Sequence, residues 1–191
     1  MTEHIQHEDQ TFSNIDYSEK KLINSEFINC VFSSCNFSKS DLSNNDFLDC
    51  KFKSCNFSLT ILQHTGLKNI KFTGSRLLGI DFSVCNSFLF TVSFQDCQLD
   101  YSSFFQRKMK STQFVDCSLK QVDFGEVDLS GSVFHNCDLE DAVFNRSNLE
   151  KTDFRTVRNF QIDPEQNKMK QAIFSVVNLA GLLGKYNLRV E

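Results

Sequence analysis

Every fifth residue from Phe12 to Phe82 is Phe, Leu or Tyr, and every fifth from Leu89 to Phe154 is Phe, Leu or Met. Fifteen such positions are followed by fourteen, without a polar exception. A helix repeats its buried face every 3.6 residues and a strand every second residue, so a period of five belongs to neither. Sustained over most of a 191-residue chain, it demands short stacked units that bury one continuous core. The positions before each centre keep the same order. Cys35-Asn36-Phe37, Ser40-Asp41-Leu42, Val122-Asp123-Phe124, Cys137-Asp138-Leu139 and Thr152-Asp153-Phe154 all read small, polar, large apolar.

These triplets resemble the A(D/N)LXX unit of the pentapeptide-repeat family, and the resemblance covers roughly three-quarters of the chain. It implies an all-β, right-handed quadrilateral β-helix with four pentads, hence twenty residues, per coil. Residues twenty apart should then stack. Phe12, Phe32, Phe52 and Phe72 do so in the sequence, and so do Leu22, Leu42, Leu62 and Phe82. The register slips by two between Phe82 and Leu89; a bulge there lets the first column run on through Phe94, Phe114, Phe134 and Phe154. The expected organisation is a flexible N-terminal arm at 1–9, the β-helix at 10–154, and a capping and dimerisation segment at 155–191 with a short α-helix. The single proline, Pro164, lies beyond the repeats, where it removes no donor from a coil.

Eight cysteines would suit a metal or disulfide framework, but their spacing speaks against both. Cys30, Cys35, Cys50, Cys55, Cys97, Cys117 and Cys137 each precede a centre by two residues, an inward position elsewhere held by Ser, Thr, Val, Ile or Ala. Cys85 keeps the earlier phase inside the slip. They read as small buried side chains, too far apart along a ladder for tetrahedral zinc. His4 and His7 fall in the expected arm, His64 and His135 at outward positions. No nucleophile set, phosphate loop or carboxylate pair in a pocket emerges. The expectation is a non-enzymatic cytoplasmic protein with no cofactor or metal. Met1 to Gln10 lacks the apolar segment of a signal peptide, and no membrane-spanning run occurs.

Three inward positions break the small-residue rule: Lys20, Asn45 and Arg107. Lys20 lies near the first coil, and Asn45 can hydrogen-bond along its own stack. Arg107 is expected to push residues 105–110 outward as a bulge or short loop, with the slip at 83–88 as the second irregularity.

Charge is uneven along the chain. Residues 121–154 hold eight acids against Arg146 and Lys151, a balance of −6. Beyond Phe154 the pentads stop. Ile162-Asp163-Pro164-Glu165 precedes an apolar stripe at helical spacing, Val176, Leu179, Leu182, Leu183 and Tyr186, and Leu188 and Val190 suggest a short final strand. This tail resembles that of the Qnr-type quinolone-resistance and microcin-B immunity proteins. The resemblance implies a two-fold homodimer through Val176, Leu179, Leu182, Leu183, Tyr186 and Leu188. It also implies an acidic rod that imitates DNA and binds DNA gyrase and topoisomerase IV. Asp123, Glu126, Asp128, Asp138, Glu140, Asp141 and Asp153 are the candidate topoisomerase-binding residues, with no direct contact to nucleic acid or membrane. A generic interaction scaffold, whose charges only solvate the rod, is the alternative.

Overall fold

The structure, a computed structural model, describes residues 5–186 and 188. Parallel pairing, at a spacing of twenty through most of the chain, organises it: Phe12 opposes Phe32, Phe32 opposes Phe52 and Phe52 opposes Phe72. The chain therefore winds as a quadrilateral β-solenoid with four columns of centre residues. One side is a seven-stranded sheet made of β2 (Thr11–Ser13), β4 (Val31–Ser33), β6 (Lys51–Lys53), β8 (Ile70–Thr73), β9 (Val92–Gln95), β10 (Gln113–Val115) and β11 (Val133–His135). A second side holds β1 (Ile5–Glu8), β3 (Ser25–Ile28), β5 (Asp46–Leu48) and β7 (Gly66–Lys68). The other two sides run as single bridges such as Asp16 to Asn36 and Asp123 to Val143.

The core is largely aromatic. Rings stack within a column, Phe32 on Phe52 at 4.8 Å and Phe104 on Phe124 at 5.4 Å. Rings of adjacent columns meet edge to face, as Phe114 does with Phe124 at 5.9 Å, the two geometries that an aromatic quadrupole favours. The last residue of nearly every pentad is left-handed, which suits the Asn, Asp and Gly common there. The inward position carries the thiols and hydroxyls. Cys50 points its thiol at the carbonyls of Phe27 and Leu48, and Thr65 donates to Leu42. All eight cysteines are unpaired and buried. Burial pushes the Cys50 and Cys55 thiols up to about 12.

Asn45 behaves as its stack requires: its amide donates to the carbonyls of Leu22 and Leu42 and its oxygen accepts from the Ser25 amide. Several other expectations are corrected. Ile5–Glu8, assigned to a flexible arm, is a strand paired with Ser25–Ile28, and the His7 ring occupies a centre position, stacked 4.7 Å from Phe27. The coils do not stop at Phe154. Asn148 bridges Lys168, Asp153 bridges Ile173, and Phe174 extends the phenylalanine column at 5.2 Å.

The slip is a two-residue insertion on one side, since Phe72 opposes Phe94 rather than residue 92. Leu89, counted as a core centre, is instead 63% exposed and left-handed at φ 56°, while Phe90 turns inward at 8% exposure. Ser87, at the regular centre position, is too small to fill the column, and Phe90 does so. Arg107 does not bend residues 105–110 outward. It is buried, and its guanidinium donates to the carbonyls of Phe82 (2.7 Å), Ser83 (2.7 Å) and Cys85, while lying 4.8 Å from the Phe90 ring. Insertion and arginine form one device: the Ser83 and Cys85 carbonyls, which receive no backbone N–H beside the extra residues, are satisfied by the long donor in the coil above.

The tail also differs. Val176–Leu182 and Gly184–Tyr186 are 3-10 helices rather than an α-helix. Asn178 is tied to the last coil, its amide donating to the Phe154 and Val157 carbonyls. A Cβ on Gly181 would lie 2.5 Å from the Phe160 carbonyl oxygen. Such close docking, with two β-branched valines at the start, favours the tighter i to i−3 bonds seen at Asn178, Leu183 and Tyr186. Val190 and most of the expected final strand lie outside the described residues.

Candidate functional site

Two surfaces stand out, an acidic belt and an apolar end. The belt begins with the outward position before each centre, where the peptide plane turns the side chain to solvent. Here Asp also serves the backbone: Asp123 accepts from the Gly125 amide at 2.8 Å, Asp128 from Ser130 at 3.1 Å and Asp153 from Arg155 at 3.0 Å. Four corners per coil then scatter the seven candidate residues around the rod. Asp153 lies on the side of the seven-stranded sheet; Asp138, Glu140 and Asp141 on the next; Asp123 and Glu126 on the third; Asp128 on the fourth. They form a belt, not a single face.

Most of these carboxylates have cationic neighbours, one coil away except at Asp153, whose partner lies two residues along the chain. Glu126 pairs with Arg146 at 2.7 Å, Glu140 with Lys120 at 2.6 Å, Asp128 with Lys110 at 3.5 Å and Asp153 with Arg155 at 2.7 Å. Asp138 is only 6% exposed and lies 3.5 Å from both Lys120 and Arg158. Burial raises its carboxyl affinity for a proton, but the Asn159 and Glu140 donors and the two cations outweigh this and hold its pKa below the ordinary value. Asp141 is exposed and has no hydrogen bond or ion pair among the described residues. Lys110, Lys120, Arg155 and Arg158 fall outside the linear window that gave −6. Over residues 110–158, nine acids against six bases leave −3.

The structure adds residues that the linear reading missed. Asp96 and Asp116 stack at one corner, with Asn136 above donating to Asp116 at 2.6 Å. Asp100 on the adjoining side accepts from Ser118 and the Lys120 amide. A shallow groove runs past Asp96, Gln98, Asp116 and Ser118 towards Arg158. The spacing of twenty between Asp96 and Asp116 was the available signal.

The apolar end lies beyond the belt. Val176 and Val177 are 86% and 95% exposed, and Ile173, Leu179, Leu183, Tyr186 and Leu188 are exposed too; Leu182 is half-buried against the core. The segment is held by charge as well as by Asn178. Lys185 reaches Asp163 at 2.9 Å and Glu165 at 2.6 Å, and the Tyr186 hydroxyl donates to Glu165 at 3.1 Å. These bonds to Lys185 lower the pKa of both carboxyls and raise that of the lysine. Between tail and belt lies an open groove of about 400 Å³ lined by Asp141, Val143, Asp163, Gly181 and Lys185. No cluster of metal-binding side chains occurs among the described residues, nor a helix long and apolar enough to cross a membrane.

The family profile described as "Pentapeptide repeat region" matches residues 25–104 and 86–154. Among solved structures, a trypsin-treated variant of QnrB1, a plasmid-mediated fluoroquinolone resistance protein, is similar at 20% identity and a TM-score of 0.66, over 97% of this chain and 91% of its own. HetL, a pentapeptide repeat protein involved in heterocyst differentiation regulation in the cyanobacterium Nostoc sp. strain PCC 7120, is similar at 14% identity and a TM-score of 0.40, over 91% of this chain and 87% of its own. No curated protein matches significantly.

Proposed function

This chain belongs to the pentapeptide-repeat family, and from that premise we propose that it is a non-enzymatic DNA mimic. It binds bacterial type II topoisomerase, DNA gyrase and topoisomerase IV, and protects it from quinolones or a related poison. The observation that carries this reading is an acidic belt set directly beside an exposed apolar end. A two-fold contact through Ile173, Val176 and Val177 would cover the apolar surface. It would also double the belt about the axis, making a longer acidic rod. The QnrB1 protein, which shares the fold over nearly its whole length, is described as a fluoroquinolone resistance protein, which supports the assignment. The aromatic core, packed and enclosing no substrate-sized cavity among the described residues, supports the non-enzymatic part. Eight buried unpaired thiols fit a reducing cytoplasm.

The ion pairs on Glu126, Asp128, Asp138 and Asp153 favour the alternative, an interaction scaffold whose charges mainly pair with one another. Binding to immobilised gyrase separates the two. The DNA-mimic reading expects micromolar or tighter binding that weakens steeply with salt and falls at least tenfold in Asp123→Asn/Glu140→Gln/Asp141→Asn. Absence of binding, or binding indifferent to both salt and these substitutions, would leave the scaffold.

A further inference from the structure

Three sides of the solenoid carry acids at outward strand positions along their length, but the side made by the seven-stranded sheet does not. From β2 to β11 its outward residues include no Asp or Glu, and the first acid at such a position is Asp153. At its middle lie three exposed lysines. Lys51 and Lys71 oppose each other in register, and Lys53 sits two residues along the same strand as Lys51. Like charges stacked at strand spacing repel. On the other sides several lysines are relieved by pairing, as Lys21 with Asp41, Lys68 with Asp46 and Lys120 with Glu140. No acid among the described residues lies within ion-pair distance of Lys51, Lys53 or Lys71. Asp49, the closest acid in sequence, is engaged by the Asn69 amide at 2.6 Å.

The side chains around these lysines are Ser, Thr, Gln and Val. The strip thus supplies cations and neutral donors on a flat ladder, but no aromatic or arginine anchor of the kind that centres a protein interface. Lysine, hydroxyl and amide donors on a flat surface are the groups that contact phosphate oxygens without reading bases. We infer that this strip is a sequence-independent docking surface for the phosphate backbone of duplex DNA, centred on Lys51, Lys53 and Lys71. It departs from the sequence expectation of no nucleic-acid contact. It rests on no part of the topoisomerase reading, because the acidic belt and the tail play no role in it.

Fluorescence anisotropy of the full chain with a fluorescein-labelled, mixed-sequence DNA duplex tests it. Three phosphate contacts give a log–log salt slope of about −2.7, so raising salt from about 50 to about 200 mM weakens binding about 40-fold. Lys51→Gln/Lys53→Gln/Lys71→Gln abolishes binding. A control triple at other unpaired lysines, Lys151→Gln/Lys168→Gln/Lys170→Gln, keeps it, with circular dichroism confirming that both variants fold. No anisotropy change at protein concentrations up to about 10⁻⁴ M in low salt overturns the inference. Equal loss in the control triple overturns it too. So does competition by polyglutamate as effective as unlabelled duplex at matched charge, which assigns the strip to an acidic protein.

Discussion

Arg107 ties the irregular coil to the coil above it. Replacing the arginine by Met keeps the stem length but removes the donor to the carbonyls of Ser83 and Cys85, while the Phe82 carbonyl keeps the Cys85 amide at 3.2 Å. Each buried acceptor left unpaired costs about 1–3 kcal/mol. Relief of the guanidinium's own desolvation returns part of that sum. For two such acceptors the balance is a destabilisation of about 2–3 kcal/mol. With a urea m-value of about 2.5 kcal/mol/M, the midpoint falls by about 1 M. Urea unfolding followed by far-UV circular dichroism reads it directly. The sign should reverse once the insertion is gone. In a background that deletes Phe90 and Thr91 and carries Ser87→Phe, the period of five is restored, and position 107 returns to being a small inward site. There Arg107→Ser should stabilise the protein. A midpoint shift below about 0.4 M in the first variant, or destabilisation by Arg107→Ser in the second background, refutes the coupling between arginine and insertion.

Three further outcomes are expected. Val176→Asp/Val177→Asp, which alters fully exposed side chains and no core contact, should convert a dimer into monomers in light scattering; a wild-type protein already monomeric at micromolar concentration contradicts the two-fold contact. The Lys185 clamp makes the tail acid-sensitive. Because the folded-state pKa of Asp163 and Glu165 is depressed, their contribution is full above the ordinary carboxylate range, about pH 4, and is lost as pH falls below it. Hydrogen exchange at the Ile162 amide, which donates to the Gly181 carbonyl, should therefore accelerate below about pH 4 relative to intrinsic exchange, and Lys185→Gln should remove that dependence. Thiol titration should find few reactive groups in the native protein and eight after denaturation, since burial holds Cys50, Cys55 and Cys85 near 12 and thiolate is the reactive form; rapid native labelling of these three would contradict their packing.

The solenoid was legible because its period has no competing explanation, and the vertical spacing of twenty could be checked within the sequence itself. Counting by fives also misled. It selected Leu89 as a centre because the count resumes there, whereas the structure uses Phe90, two residues before the phase of Val92 and Phe94 is regained. Arg107 looked like a disruption because an inward arginine has no partner in a regular ladder; its partners exist only where the coil below is broken. Residues 155–174 lost their apolar centres at two sides, so the pattern faded there while the backbone kept winding. Charge was the least legible property. A linear window sees Asp138 and Glu140 but not Lys120 and Arg158, one coil below and above. The apolar stripe of the tail is exposed apart from Leu182, but Gly181, Gly184 and the Asn178 anchor convert helical spacing into 3-10 turns.

The most direct measurement of the central claim is DNA supercoiling by gyrase in the presence of a fluoroquinolone, with and without this protein. The wild type should restore supercoiling in a dose-dependent way, and Asp123→Asn/Glu140→Gln/Asp141→Asn, which spares the buried Asp138, should lose at least tenfold in potency while unfolding at an unchanged urea midpoint. Failure of the wild-type protein to restore supercoiling at any concentration, or full rescue by the acidic-belt variant, would contradict the claim.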